Sequence, residues 1–367
     1  MIKKSLLFLG NFSFSKIILA FLSLNLFIFL LYVNGIESNS LNISLKYFLF
    51  SNETIVPNSN NSKENLDNST FPTVSKNSNL SKEYGIYNKT LCPMIPAKLH
   101  GRIPVKYFNG TFIELENSLS NLSIEKGGLW SPKECKPRYK VALIIPYRNR
   151  ENILKIFLKN LHPFLQKQQI EYGIYLIEPL QNLTFNRGLL MNIGFIESLK
   201  KTNQKWECFM FHDVDLIPED ERIIYSCPEQ PRHLSAFVTK FNTIVSGEAL
   251  FGGVSALTKD QMKKVNGYSN LYFGWGGEDD DFRYRILQNN FKITRYPLEI
   301  GRYLMIRHTS DQKINSERFN LLKKTVERMK TDGLNSIEYK LNDMIIGKLF
   351  TKVIVSYDEN YLLKKIY

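Results

Sequence analysis

Two short acidic stretches hold the residues best suited to chemistry. The first is Asp213-Val214-Asp215, which follows the apolar run Glu207–Phe211 and His212. Side chains alternate along a strand, so an Asp-x-Asp pair at its end turns both carboxylates to one side. One of them can hold a divalent cation that offsets the charge of a departing diphosphate, leaving the other for ribose or sugar hydroxyls. At an arbitrary surface turn the same tripeptide is only a solvated acidic pair, so its company decides.

That company is Gly274-Trp275-Gly276-Gly277-Glu278-Asp279-Asp280-Asp281, which joins flexible glycines, a stacking indole and a run of acids. Adjacent carboxylates repel one another and call for a cation, a helix amino terminus or exposure. An acidic helix start leading into Phe282–Leu287 meets that need. It leaves Trp275 and the glycines unexplained.

These stretches need a scaffold. Tyr139–Tyr147 is a buried strand closed by Pro146, and Glu151–Leu165 carries Ile153, Leu154, Ile156, Phe157, Leu158, Leu161 and Phe164 at helical spacing. A second strand over Tyr172–Ile177 and a second helix over Arg187–Leu199 repeat the pattern. Alternation of this kind predicts an open α/β sheet with parallel strands. Ligands bind such sheets beyond the carboxyl ends of the strands, which is where Asp213 and Asp215 fall. Neither a Gly-x-Gly-x-x-Gly fingerprint nor a Walker loop follows the first strand, so a dehydrogenase reading loses its main support.

The ends of the chain carry a different message. Lys3, Lys4 and Lys16 precede an apolar run over Ile17–Val33, and no basic residue occurs from Ile17 to Leu45. That pattern predicts a membrane anchor with a cytoplasmic amino terminus, the alternative being a cleaved signal peptide. From Ile36 to about Leu91 the chain is rich in Asn, Ser, Lys and Thr, as a stem without its own fold would be. Glycosylation triplets begin there at Asn42, Asn52, Asn60, Asn68, Asn79 and Asn88, and recur at Asn109, Asn121 and Asn182. The net charge of +13 is spread along the chain without an Arg/Lys block, which speaks against a nucleic-acid partner. Cys92, Cys135, Cys208 and Cys227 form an even set in an oxidising compartment; two disulfides are expected, in any of three connectivities. No close cysteine pair suggests zinc.

In order along the chain stand Ile145-Pro146-Tyr147-Arg148-Asn149-Arg150, Phe185-Asn186-Arg187, Asp213-Val214-Asp215, Phe251-Gly252-Gly253-Val254-Ser255-Ala256, the Trp275–Asp281 run and Met305-Ile306-Arg307-His308. Together they resemble the β-1,4-galactosyltransferase family over about residues 92–367. The resemblance implies a GT-A-like fold, an open mixed α/β sheet flanked by helices that binds a nucleotide sugar. It implies a single-pass type II Golgi protein with a tail over 1–16, a transmembrane anchor over 17–33, a stem over 34–91 and a lumenal catalytic domain over 92–367. A homodimer through the anchor or stem is left open.

The same resemblance implies roles. Pro146, Tyr147, Arg148, Arg150, Phe185 and Arg187 are expected to contact the uracil, ribose and diphosphate of a UDP-sugar, with Asp213 and Val214 beside them. Asp215, Met305 and His308 are expected to hold manganese. A thioether is a soft partner for so hard an ion, so binding should be weak and exchangeable; read without the resemblance, Met305 is a core residue. Asp279 is expected to be the general base, with Glu278 beside it. Trp275, Gly277, Glu278, Asp279 and Asp280 are expected to position a GlcNAc-terminated glycan, along with Arg318, Phe319 and Leu322, and Trp275 is expected to contact the UDP-sugar as well. The stretch from His308 to Arg318, shorter than in vertebrate members, corresponds to the family's mobile lid. Bridges Cys92–Cys135 and Cys208–Cys227 are implied as well.

The implied reaction is inverting transfer to O4 of a terminal β-GlcNAc. Galactose-transferring members carry Tyr just before the Phe-Gly-Gly block, where the invertebrate N-acetylgalactosaminyltransferase branch has a smaller aliphatic residue and this chain has Leu250. Leu leaves room for an acetamido group, so GalNAc is the expected donor sugar, with strict galactose transfer as the alternative. Gly247 replaces an aromatic in many members and alters the same surface. A catalytically silent sugar-binding protein is the competing class, and the presence of Asp215, Met305, His308 and Asp279 speaks against it.

Overall fold

The computed structural model describes residues 89–200, 205–240, 243–247, 249–308 and 313–365. The expected tail, anchor and nearly all of the stem lie outside the described residues. Among the described residues no helix is long and apolar enough to cross a membrane.

Strand β1 (Lys140–Pro146) is Val-Ala-Leu-Ile-Ile between Lys140 and Pro146, and every residue after Lys140 is buried. Burial on both faces follows from helices on both sides. Val141, Leu143 and Ile145 join one hydrophobic cluster with Leu154, Phe157 and Leu161 of helix α1 (Glu151–Lys167). Ala142 and Ile144 join the other with Leu189, Leu190 and Ile193 of helix α2 (Arg187–Lys200). Helix α1 runs past the predicted Leu165 and through Pro163. Proline there costs about 3 kcal/mol, but Leu161, Phe164 and Leu165 are buried around it and each contributes roughly 1.5–3 kcal/mol. Burial wins.

The remaining strands are β2 (Glu171–Pro179), β3 (Cys208–His212), β4 (Leu216–Pro218), β5 (Arg232–His233), β6 (Phe237–Lys240), β7 (Thr243–Ser246), β8 (Val254–Thr258), β9 (Thr294–Arg295), β10 (Arg302–Met305), β11 (Lys340–Ile346) and β12 (Thr351–Ser356). The main sheet has the order β11-β12-β2-β1-β3-β8-β5-β9. Its centre is parallel, as the β-α-β pattern requires, whereas β8 runs antiparallel to β3. The sheet is therefore open and mixed.

A second, four-stranded sheet has the order β4-β10-β6-β7. It leaves no periodic signal in the sequence. Its strands are only three or four residues long, too short to show a period of two. Its importance is one pairing, Met305 opposite Leu216. Disulfides join Cys92 to Cys135 and Cys208 to Cys227.

Candidate active site

Five segments meet beyond the carboxyl ends of β1 and β3. The first follows β1, where Pro146 breaks the ladder and the chain turns through Arg148 and Arg150 into α1. The Arg148 guanidinium lies over the Phe185 ring at 5.4 Å. The second is the start of α2, where Arg187 Nε donates to Asp213 Oδ1 at 2.7 Å. Burial opposes the Arg187 charge, yet Asp213 and Glu278 together outweigh it and raise its pKa above the ordinary value.

The third segment is Asp213-Val214-Asp215, pinned by Asp213 N–H donating to Gly253 O at 3.1 Å. The fourth is the end of β10. Ile306 N–H donates to Asp215 O at 2.8 Å, which sets Met305 beside the second aspartate. His308 then reaches back, its Nε2 lying 2.7 Å from Asp215 Oδ2. Arg150 Nη1 stands 3.4 Å from the same oxygen and 3.2 Å from the same ring nitrogen.

The fifth segment is helix α3 (Glu278–Gln288), which begins after Gly277 at φ +95°, a conformation glycine adopts at least cost. Its first turn holds Glu278, Asp279, Asp280 and Asp281, where the helix dipole eases their mutual repulsion. The Glu278 carboxyl is pushed up to about 8, by burial first and the adjacent Asp279 charge second, against the pull of Arg187. Near neutral pH Glu278 therefore carries its proton and can donate a hydrogen bond. Asp279, the next residue, also lines the cleft.

A cleft of about 440 Å³ unites these segments. Of the expected residues it is lined by Pro146, Arg148, Arg150, Phe185, Arg187, Asp213, Val214, Asp215, Trp275, Glu278, Asp279, Met305 and His308. Gly274, the first residue of the quoted glycine and acid run, lines it too, as do Lys240 and Ile314. Nothing distinguishes Lys240 or Ile314 in their sequence neighbourhoods. Arg148 Nε, Arg187 Nη1 and Glu278 Oε2 are buried and make no hydrogen bond. Unused donors and an unused carboxyl oxygen around one cleft suit a polar, anionic ligand.

Other expected residues stand elsewhere. Tyr147 is buried behind the cleft, its ring under Lys352 at 5.4 Å and its phenol raised to about 12 by burial and then by Glu178. Its side chain does not line the cleft. Leu250, 38% exposed, also lies outside the lining. Gly277, Asp280, Arg318, Phe319 and Leu322 sit beyond it, toward helix α4 (Arg318–Lys323). There the Arg318 guanidinium is 5.9 Å from the Trp275 ring and 4.6 Å from the Phe319 ring, with both aromatic rings exposed. Trp275 is held by Lys313 and Asn315, through Trp275 N to Lys313 O at 2.9 Å and Asn315 N to Trp275 O at 3.0 Å. Residues 309–312 of the expected lid lie outside the described residues.

Among the described residues no group of three or more His, Cys, Asp and Glu could hold a metal ion. Asp215 and His308 nevertheless stand in contact, and Met305 lines the same cleft. A carboxylate, an imidazole and a thioether make a donor set that fits a divalent ion of the manganese type only loosely, with the rest of its shell left to a ligand.

Residues 92–228 match the family model described as the N-terminal region of glycosyl transferase group 7, and residues 232–309 match that described as the N-terminal domain of galactosyltransferase. Beta-1,4-galactosyltransferase 4 of Cricetulus griseus is 42% identical over 268 residues, covering 72% of this chain and 77% of the relative. Beta-1,4-galactosyltransferase 1 of Mus musculus is 42% identical over 295 residues, covering 80% and 71%. Among solved structures, a mutant of Drosophila beta-1,4-galactosyltransferase 7 in complex with manganese, UDP-Gal and xylobiose is similar at a TM-score of 0.51 and 25% identity. That alignment covers 60% of this chain and 94% of the other. Matches of this identity and coverage, over a cleft built on the quoted blocks, mean that the chain belongs to the β-1,4-galactosyltransferase family and is a hexosyltransferase.

Proposed function

We propose that the chain transfers a hexose from a UDP-sugar to O4 of a terminal β-GlcNAc, with inversion and with manganese, and that GalNAc is its preferred donor sugar. The observation that carries this reading is the convergence of Asp215, Met305, His308 and Asp279 on one cleft. It is supported by relatives that are β-1,4-galactosyltransferases and by a similar structure holding manganese and UDP-Gal.

In this reading Asp215, Met305 and His308 hold the ion, which supplies positive charge at the leaving diphosphate. Arg148, Arg150 and Arg187 donate to phosphate oxygens, for which the guanidinium fork is suited. Pro146 and Phe185 flank the nucleotide, Asp213 and Val214 lie beneath it, and Tyr147 acts from behind by shaping the turn. Asp279 takes the proton of the acceptor hydroxyl as that oxygen attacks the anomeric carbon from the face opposite UDP. Protonated Glu278 donates a hydrogen bond to the bound sugars. Trp275, Gly277, Asp280, Arg318, Phe319 and Leu322 form the acceptor side, Leu322 receiving the N-acetyl methyl.

Leu250 supports GalNAc because its side chain leaves room at the donor C2 substituent and brings no group that rejects galactose. Strict galactose transfer is the second reading, favoured by the galactosyltransferase relatives. The domain from 92 to 367 acts in the Golgi lumen, tethered by the apolar run over 17–33 behind the 34–91 stem, as a type II protein. Full-length protein in detergent, given manganese and a GlcNAc acceptor, should show higher kcat/KM for UDP-GalNAc than for UDP-Gal. A preference for UDP-Gal of about tenfold or more, some 1.4 kcal/mol, overturns the donor assignment, and no transfer from either overturns the reaction.

A further inference from the structure

Between the Leu250 side chain and the Asp279 carboxylate runs the segment Leu250-Phe251-Gly252-Gly253, in which Leu250 O and Gly252 O are held from the side of β9 while Gly253 O accepts from Asp213 N–H at 3.1 Å. Arg295, the last residue of β9, donates through Nη2 to Leu250 O at 2.8 Å and through Nε to His233 Nδ1 at 3.3 Å. An arginine has no acceptor, so His233 Nδ1 must be the bare nitrogen and Nε2 must carry the hydrogen. That hydrogen points at Gly252 O, 2.9 Å from Nε2. Burial, helped by the Arg295 charge, lowers the His233 pKa to about 4, so the ring stays neutral in this tautomer across the working range.

The effect is a two-pronged clamp. Arg295 grips Leu250 O directly and, through His233, Gly252 O, which also accepts from Ser235 Oγ at 3.1 Å. Phe251 is itself buried, 5.6 Å from the His233 ring and 5.8 Å from the Phe282 ring. On the opposite side Gly252 lies flush against Asp279. A lysine could reach one carbonyl with a point charge; only a guanidinium reaches the carbonyl and the imidazole at once.

We propose that Arg295 is a positioning residue for donor choice: through Leu250 O and His233 it sets where the Leu250 side chain stands relative to Asp279, and so how much room the C2 substituent has. The inference rests on the reading of Leu250 given above. It places a determinant of donor discrimination at the sheet edge, outside the cleft lining.

The test uses full-length protein in detergent with manganese and a GlcNAc acceptor, measuring kcat/KM for UDP-GalNAc and UDP-Gal. Arg295→Met is expected to change the ratio of the two by about tenfold, the weight of an oriented hydrogen bond, while KM for the acceptor holds. Arg295→Lys is expected to fall between wild type and Arg295→Met. In a Leu250→Ala background, where there is no branched side chain to place, Arg295→Met should leave the ratio unchanged. A proportional loss with both donors means that Arg295 serves only folding and overturns the proposal; should Arg295→Met fail to fold, an unchanged ratio in Arg295→Lys overturns it. Leu250→Tyr separates the two ideas. If it moves the ratio and the Arg295 variants do not, the clamp alone is wrong; if it does not, the reading of Leu250 fails and the clamp with it.

Discussion

Gly252 and Asp279 touch so closely that a β-carbon on Gly252 would lie 2.1 Å from Asp279 Oδ2. Real β-carbons essentially never come within 3.0 Å of another heavy atom, so Gly252→Ala must displace the carboxylate or the backbone around Gly252. If Asp279 is the base, kcat should drop by about 10²-fold or more, the usual contribution of a positioned base. UDP binding in the presence of manganese, followed by calorimetry, should hold. Full turnover in Gly252→Ala would move the base elsewhere.

The buried acid beside Asp279 leaves a mark on stability. The Glu278 pKa is raised from 4.5 to about 8, so between those values the folded protein keeps a proton that the unfolded chain has released. Its contribution is fully present below 4.5 and is lost as pH rises through about 8. Glu278→Gln mimics the protonated acid without titrating. Thermal melts across this window should show a shallower decline for the variant than for wild type, and parallel curves would mean that Glu278 is charged throughout.

At the proposed metal site two variants should act in opposite directions. Asp215→Asn keeps the shape and removes the charge, so manganese binding followed by electron paramagnetic resonance should weaken on the order of 100-fold, a loss of roughly 3 kcal/mol. Arg150→Met removes the guanidinium that stands 3.4 Å from Asp215 Oδ2 and 3.2 Å from His308 Nε2. Without donor it should tighten manganese binding by about tenfold, since a like charge has left the site, and it should weaken UDP. Weaker manganese binding in Arg150→Met would show that Arg150 holds the ligands in place and does not compete for them.

The parts of this architecture that could be read in the sequence are those with strong local periodicity. The strands over 140–146 and 171–179 and helix α2 stand within two residues of their predicted bounds because runs such as Val-Ala-Leu-Ile-Ile admit no other burial. Asp213 and Asp215 were legible as a pair because a strand leads straight into them. Met305 was not, since its place beside Asp215 comes from pairing of β10 with β4, strands of four and three residues. Lys240 and Ile314 were missed for a related reason: their position on the cleft is set by tertiary contacts, which leave no local signal. The resemblance, and not periodicity, located Met305 and His308.

Asp281 is the acid of the run that faces away from chemistry. Both Asp281 and Arg285 are 0% exposed and paired at 2.5 Å, and the other Asp281 oxygen accepts from Arg328 Nη2 at 2.9 Å, Tyr272 OH at 3.0 Å and Thr325 Oγ1 at 2.8 Å. These partners tie the start of α3 to the segment that follows α4, so the network fixes the proposed acceptor side relative to Asp279. Asp281→Asn would leave the buried Arg285 and the partly buried Arg328 short of a counter-charge, a change that typically costs about 3–5 kcal/mol. Chemical denaturation should report a loss of that size, and KM for the GlcNAc acceptor should rise more than KM for the donor. Asp281→Asn with wild-type stability would mean that Asp332, which also pairs with Arg285 and Arg328, carries the network alone.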